Sequence, residues 1–282
     1  MTTETRIFVT GATGQIGRPL VQQLLARGAR VSLLTRRPAE AKALGAVDVV
    51  EGDLAHPDSY ASSLKGCARA FFLGGGEEAL ARDGGAFAAA ARAAGVAQVV
   101  AISSGTVEMK PKVVLGDWHL AMEEAIDKTG IAATFLRPDN FASNALRWAG
   151  GIKAKSMVFS THADGQSVPI DPRDIAAVAA CALLEPGHEG KRYVLSGPAV
   201  MTAREQVACI GAELGRTLQV VEVPAERARA GMIESGMSAA MANAVLELMG
   251  QAPRPTTTVR DVTGVDARTF ATWVKDNRAA FA

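Results

Sequence analysis

Apolar and polar positions in the first half of the chain alternate between two rhythms. RIFVT, ARVSLLTR, DVVEGD, ARAFFLG, AQVVAISS and IAATFLRP are short apolar-rich runs and read as six buried strands. Between them, apolar residues recur every three or four positions, the spacing of one helix face. RPLVQQLLARG follows the first run and closes at Gly28. EEALARDGGAFAAAARAAG precedes the fifth, with Gly84 and Gly85 as a candidate interruption. VVLGDWHLAMEEAI precedes the sixth. Buried strands separated by helices predict a parallel sheet covered on both faces, an α/β doubly wound fold.

Past Pro138 the rhythm loosens. Residues 146–169 read as irregular apart from a short strand at SMVFS. DPRDIAAVAACALLE reads as a helix, and KRYVLSG as a strand that rejoins the sheet. From Met201 onward the pattern is helical, with TLQVVEVP as one strand candidate. The expected organisation is a nucleotide-binding domain of residues 1–145 plus about 170–197. A smaller, mostly helical substrate lobe takes about 146–169 plus 198–282.

Composition narrows the function classes. A net charge of +1 over 282 residues gives no basic footprint for nucleic acid. Cys67, Cys181 and Cys209 are far apart and odd in number, without metal-ligand spacing, so neither a disulfide framework nor a metal site is expected. The apolar stretch FAAAARAAGVAQVVAI is broken by Arg92 and Gly95, and no membrane span is expected. MTTETR runs straight into a strand with no signal-peptide pattern. These features predict a cytoplasmic protein and leave a homo-oligomer open.

The sharpest motif is Gly11-Ala12-Thr13-Gly14-Gln15-Ile16-Gly17, set between the first strand and the first helix. In that context Gly11 makes a tight turn, Gly14 lets a pyrophosphate approach, and Gly17 lets helix and strand pack closely. The helix N-terminus adds amide donors and partial positive charge. The end of the second strand then sets cofactor choice. An acid roughly 20 residues past the loop would bond a ribose 2′-hydroxyl. Thr35-Arg36-Arg37 stands there instead. A guanidinium suits a 2′-phosphate, so NADP(H) is preferred and NAD(H) is admitted. One of the two arginines is expected to be simply solvated. Asp53 and Leu54 are candidates for the adenine edge. Leu73, Gly74, Gly75, Ser103 and Ser104 stand at strand C-termini, where ligands bind in open α/β sheets.

VTGATGQIG, GDL at 52–54, LRPDNFASN at 136–144 and DPRDIAAVA at 171–179 together resemble the NmrA-like branch of atypical short-chain dehydrogenases/reductases. The resemblance spans essentially the whole chain. It implies a Rossmann-type NAD(P)-binding domain, a small helical substrate lobe and NADPH-dependent reduction of quinones, dyes, phenylpropanoids or iminium compounds. It equally implies non-catalytic members that sense the NADP(H) state and act through a protein partner. Carried onto this chain, Gly11, Gly14, Gln15 and Ile16 would hold the pyrophosphate and Arg36 the 2′-phosphate. Pro138, Asn140 and Phe141 would lie beside nicotinamide and substrate, and Asn144 and Asp174 match recurring positions.

One family feature is missing. Short-chain dehydrogenases usually carry a Tyr-x-x-x-Lys pair, whereas Tyr60 is followed at that spacing by Leu64 and Tyr193 by Gly197. In VVLGDWHLAMEEAI the two places fall at Leu115 and His119. Ordinary alcohol–ketone chemistry then lacks its acid, while hydride transfer to an already electrophilic acceptor needs less help. His119 is a candidate proton donor, oriented and kept charged by Glu123 at i+4. A ribose or cleft contact and a plain packing role stand beside that reading. Ser104 is a second candidate catalytic group. Trp118, Phe141, Trp148 and Met157 are candidate cleft walls for a small apolar substrate. Met232, Met237, Met241 and Met249 suggest either a pliable lid or ordinary helix core. A redox-neutral isomerase or cyclase is the third function class that the sequence admits.

Overall fold

A computed structural model describes residues 5–45, 48–75, 79–110, 112–248 and 255–282. In chain order the first elements are β1 (Arg6–Thr10), α1 (Gly17–Ala26), β2 (Arg30–Thr35), α2 (Pro38–Lys42), β3 (Asp48–Glu51) and β4 (Arg69–Phe72). Then come α3 (Ala79–Ala93), β5 (Gln98–Ile102), α4 (Val114–Asp127), β6 (Ala132–Pro138), α5 (Ala149–Lys155), β7 (Met157–Ser160) and β8 (Gln166–Ser167). The remainder is α6 (Pro172–Leu184), β9 (Arg192–Leu195), β10 (Met201–Thr202), α7 (Ala203–Leu214), β11 (Gln219–Glu222), α8 (Ala225–Glu234), α9 (Ala239–Glu247), α10 (Thr258–Thr263) and α11 (Phe270–Asp276).

The chain divides into two compact units. The first holds residues 1–138, 172–194 and 261–264; the second holds 139–171, 195–260 and 265–282. The first unit is built on a seven-stranded sheet of order β3-β2-β1-β4-β5-β6-β9. β1 pairs in parallel with β2, Arg6 opposite Arg30 through Thr10 opposite Leu34, and in parallel with β4 on its other side. Strand order therefore reverses between β1 and β4. That reversal opens a crevice at the strand C-termini, where the loop after β1 lies. β9 joins beyond β6, as KRYVLSG predicted, with Gly190 N–H donating to Ala133 O at 2.8 Å and Phe135 N–H to Lys191 O at 2.9 Å.

Both faces of the sheet are covered. On one, Phe8, Tyr60, Phe72 and Phe87 form an aromatic cluster with ring centroids 5.4–6.5 Å apart. On the other, α6 packs against α1 and beneath β4, β5 and β6. The expected interruption at Gly84 and Gly85 is absent, because α3 is continuous. A Cβ at Gly84 would stand 2.8 Å from Met122 Cγ and one at Gly85 3.2 Å from Ala125 Cβ, so these glycines serve close packing of α3 on α4.

The second unit has its own core of Ala142, Ala145, Ile152, Val158, Val207, Ile210, Phe270, Trp273, Val274 and Phe281. Ala142 and Ala145 belong to it, which moves the boundary expected at 145 back to 138. The local cause is backbone pairing: Ile170 N–H donates to Asn140 O, and Ala142 N–H to Ile170 O, both at 2.8 Å. Residues 146–169 are less irregular than expected, since α5, β7 and β8 lie there. β7, within SMVFS, pairs in parallel with β11, within TLQVVEVP.

Candidate active site

The glycine-rich loop sits between β1 and α1. Gly11 has φ +66°, a left-handed conformation that costs a glycine little. A Cβ there would also lie 2.9 Å from Leu73 Cδ2, so the loop rests on the end of β4. Gly14 N–H donates to Gly11 O at 3.0 Å and closes the turn. At Gly17 a Cβ would collide with Gly11 O and stand 2.7 Å from Ala12 Cα. Only glycine lets α1 start this close to the loop. Thr10 ties the loop base to β4: its hydroxyl donates to Leu73 O at 3.2 Å and accepts from Leu73 N–H at 2.8 Å. A turn against a helix N-terminus, with no room for a side chain, fits a nucleotide pyrophosphate.

Past the end of β2, Arg36 and Arg37 are both exposed. The Arg36 side chain is 80% exposed, and its NH1 lies 3.8 Å from Asp53 Oδ2. Arg37 turns toward the glycine loop, donating to Thr13 Oγ1 at 3.4 Å and to Glu40 Oε1 at 2.9 Å. Arg18 donates to Thr13 O at 2.9 Å and its NH2 stands 3.7 Å from Glu40 Oε2. Arg36, with a single long ion pair, is the less committed of the two. Asp53 bonds locally, its Oδ1 accepting from Ala55 N–H at 3.0 Å. Gln15 is exposed, Ile16 is buried, and Leu54, Gly74 and Gly75 complete the strand-end loops. Gly74 is half-buried and Gly75 exposed.

The C-terminal ends of β5 and β6 carry a buried charge network. Arg137 donates from Nε to Glu123 Oε1 at 2.9 Å and from NH2 to Glu123 Oε2 at 2.6 Å. Its NH1 donates to Glu108 Oε1 at 2.7 Å. Ser103 Oγ donates to Glu123 Oε1 at 2.6 Å, and Arg192 Nε reaches Oε2 at 3.4 Å. Those hydrogen bonds outweigh burial and raise the Arg137 pKa further. Ser104 instead caps the turn Gly105–Glu108, its oxygen accepting from Thr106 N–H at 3.2 Å and from Thr106 Oγ1 at 2.8 Å.

His119 lies on α4 within reach of this network's field. Its Nδ1 is buried without a hydrogen-bond partner. Burial lowers its pKa from 6.5 to about 4, against the opposing pull of Glu123. The ring is therefore neutral at neutral pH and offers no imidazolium. The expectation that Glu123 orients His119 is corrected: the hydrogen bonds of Glu123 go to Ser103, Arg137 and Arg192. The sequence reading missed this clamp. Its trace was there on the arginine side, since Arg137 is the one charged residue in the apolar run IAATFLRP and burial tolerates it only with a partner, but nothing singled out Glu123 from Asp117 and Glu124 in its own segment.

The remaining candidates sit as follows. Pro138 ends β6 and is buried, and Trp118 on α4 is half-buried. In the second unit, Asn144 Nδ2 donates to Asn140 Oδ1 at 2.7 Å, and Asn140 Nδ2 to Ser167 Oγ at 3.3 Å. Gln206 donates to the same Ser167 oxygen at 3.1 Å. Phe141 bridges to Ile170, and Trp148 packs on the second core. Met157 on β7 and Met232 on α8 are half-buried, as are Met237 and Met241, while Met249 lies outside the described residues. An apolar cavity of about 170 Å³ is lined by Pro169, Pro198, Ala199, Met201, Cys209 and Phe270 among others, none of them a candidate residue. Among the described residues no acid, cysteine and histidine cluster suits a metal ion, and no helix is long and apolar enough to cross a membrane.

Residues 11–186 match the model of the NAD(P)H-binding family. The chain belongs to that family. It is 35% identical over 283 residues to the (4-alkanoyl-5-oxo-2,5-dihydrofuran-3-yl)methyl phosphate reductase of Streptomyces griseus, covering 98% of this chain and 99% of that one. It is 33% identical over 282 residues to the NAD(P)H azoreductase of Xenophilus azovorans, again covering 98% and 99%. The NADPH complex of the Escherichia coli NADPH-dependent quinone oxidoreductase superposes with a TM-score of 0.83 at 25% identity, covering 96% of this chain and 99% of that one. The atypical short-chain dehydrogenase/reductase resemblance is thereby borne out, and this family member is an NAD(P)H-dependent oxidoreductase.

Proposed function

We propose that the chain is an NADPH-preferring reductase of small, apolar, electrophilic acceptors, acting in the cytoplasm. The carrying observation is the state of the proton donors beside β5 and β6. Leu115 and His119 occupy the places of the usual tyrosine and lysine, and the imidazole is neutral. The Ser103 proton is spent on Glu123, and the Ser104 oxygen accepts two bonds from Thr106, which leaves there only the weakly acidic hydrogen of a serine hydroxyl. When bound, the nicotinamide cofactor supplies a hydride. With no strongly acidic donor there among the described residues, the fitting acceptor is one whose reduced form delocalises its new charge and takes its proton from water. Quinones, conjugated carbonyls, cationic dyes and azo compounds meet that condition. The relatives named for an alkanoyl-oxo-dihydrofuranylmethyl phosphate, an azo compound and a quinone support an electrophilic, conjugated acceptor, although the first carries a charged phosphate and is not apolar.

The chain's own residues do the holding. The turn Gly11–Gly17 and the start of α1 receive the pyrophosphate. Arg36 takes the 2′-phosphate, with Arg37 and Thr13 alongside. His119 contributes at most a neutral hydrogen bond.

The test mixes the protein with NADPH and a panel of quinones, conjugated lactones, azo and triarylmethane dyes, and follows absorbance at the nicotinamide band. Turnover of at least one acceptor, with simple aliphatic ketones inert, is the expected outcome. Tight NADPH binding with no acceptor reduced would replace this reading with a cofactor sensor. In the same assay Arg36→Ala should weaken NADPH about 10-fold, the low end for a charge-assisted contact because the side chain is exposed, and leave NADH within about twofold. Equal losses for both cofactors would remove Arg36 from the 2′-phosphate.

A further inference from the structure

The Ser103 hydroxyl has a direction that chemistry fixes. It lies directly after β5, is 3% exposed, and its backbone N–H is held by Leu136 O at 2.7 Å. Its hydrogen-bond partner Glu123 is 1% exposed and receives two parallel bonds from Arg137. An arginine only donates, so each Glu123 oxygen already accepts a bond from Arg137 and acts as an acceptor. The hydrogen in the 2.6 Å Ser103–Glu123 bond is therefore the serine's. What remains on the serine oxygen is lone-pair density.

We propose that Glu123, clamped by Arg137, is a positioning residue that turns the Ser103 proton inward, so that Ser103 meets its ligand as a hydrogen-bond acceptor. The matching ligand group is an N–H donor, and the carboxamide of nicotinamide is one of the right class. This rests on the proposed function, in which NADPH binds this chain, and it places the nicotinamide at the C-terminal ends of β5 and β6. The clamp also joins three elements that meet there, since Ser103 follows β5, Glu123 lies on α4 and Arg137 on β6. In this arrangement Ser103 is a recognition group for the cofactor and is not a source of protons for the substrate.

The experiment measures dissociation constants of the full chain by fluorescence for NADPH and for 2′,5′-ADP, which lacks the nicotinamide half. Wild type should bind NADPH the more tightly; if it does not, the underlying cofactor placement falls and the proposal with it. Ser103→Ala should weaken NADPH about 3- to 10-fold, the worth of one hydrogen bond, with 2′,5′-ADP within about twofold. Glu123→Gln should move the same ratio in the same direction. The double variant should be no weaker than Glu123→Gln alone, because both changes remove one coupled unit. Unchanged NADPH affinity in Ser103→Ala would overturn the proposal, as would equal weakening of both nucleotides or losses that multiply in the double variant. Melting temperatures accompany each measurement. If Glu123→Gln does not fold, the Ser103→Ala ratio decides alone.

Discussion

At the residue scale, the glycine loop was legible because its chemistry is local. Gly11 needs a left-handed turn and Gly17 needs a missing side chain, and both demands arise within seven residues of sequence. His119 was legible only as an oddity. Its spacing placed it on an apolar face, but its protonation state depends on burial by residues that sequence spacing does not name. That burial has a consequence for stability. Unfolded, the ring takes up a proton near pH 6.5; folded, only near pH 4. Between these values the unfolded state binds more protons, so this contribution is fully present above pH 6.5 and is lost as pH falls toward 4. The loss reaches at most about 3 kcal/mol. His119→Leu, which also deletes a buried polar atom without a partner, should flatten that acid limb of the melting temperature and cost little at pH 7. An acid limb of unchanged slope in thermal melts from pH 7 to 4 would show that the ring is not the group responsible.

Elements were the best-read scale in the first unit, because strand and helix periods are carried by the chain itself. What periodicity missed was how elements touch. Gly84 and Gly85 look like a break in sequence, yet serve contact with Met122 and Ala125 across α3 and α4. Gly116 does the same for α4 on the turn Gly105–Glu108. A Cβ there would stand 2.5 Å from Thr106 O, a backbone atom that has little freedom to move. Replacing Gly116 by alanine gains about 1 kcal/mol of helix propensity but incurs about 1–3 kcal/mol of overpacking. The overpacking wins, because the obstacle is main chain. Gly116→Ala should lower the melting temperature by about 2–6 °C, and a variant as stable as wild type in calorimetry would refute the close approach. Glu123 on the same helix shows the same limit. Its partners Ser103 and Arg137 are 20 and 14 residues away, so no local pattern announces them.

For the whole molecule, the alternation of strands and helices revealed that the sheet is assembled from separated chain segments, and α6 and β9 are where this matters. The first unit takes residues 1–138 and then recovers 172–194 after the chain has entered the second. Ten of the thirteen residues in α6, Pro172 to Leu183 with two exceptions, are buried. They pack on α1 and beneath β4, β5 and β6. The segment leading into β9 hydrogen-bonds the outer side of β6, through Gly190 and Lys191. Fragment 1–138 keeps the glycine loop, Arg36, Ser103, Glu123 and Arg137. It loses the helix covering one sheet face and leaves β6 as a bare edge, an invitation to aggregation. Truncation tolerance follows burial and backbone pairing of what is removed rather than the position of the motif. The fragment should therefore show no cooperative thermal transition and no saturable NADPH binding, although every cofactor residue named in the first unit before Asp139 is present. A soluble fragment 1–138 that melts cooperatively and binds NADPH as the full chain does would mean that α6 and β9 are dispensable, and that this fold is closed by its first six strands alone.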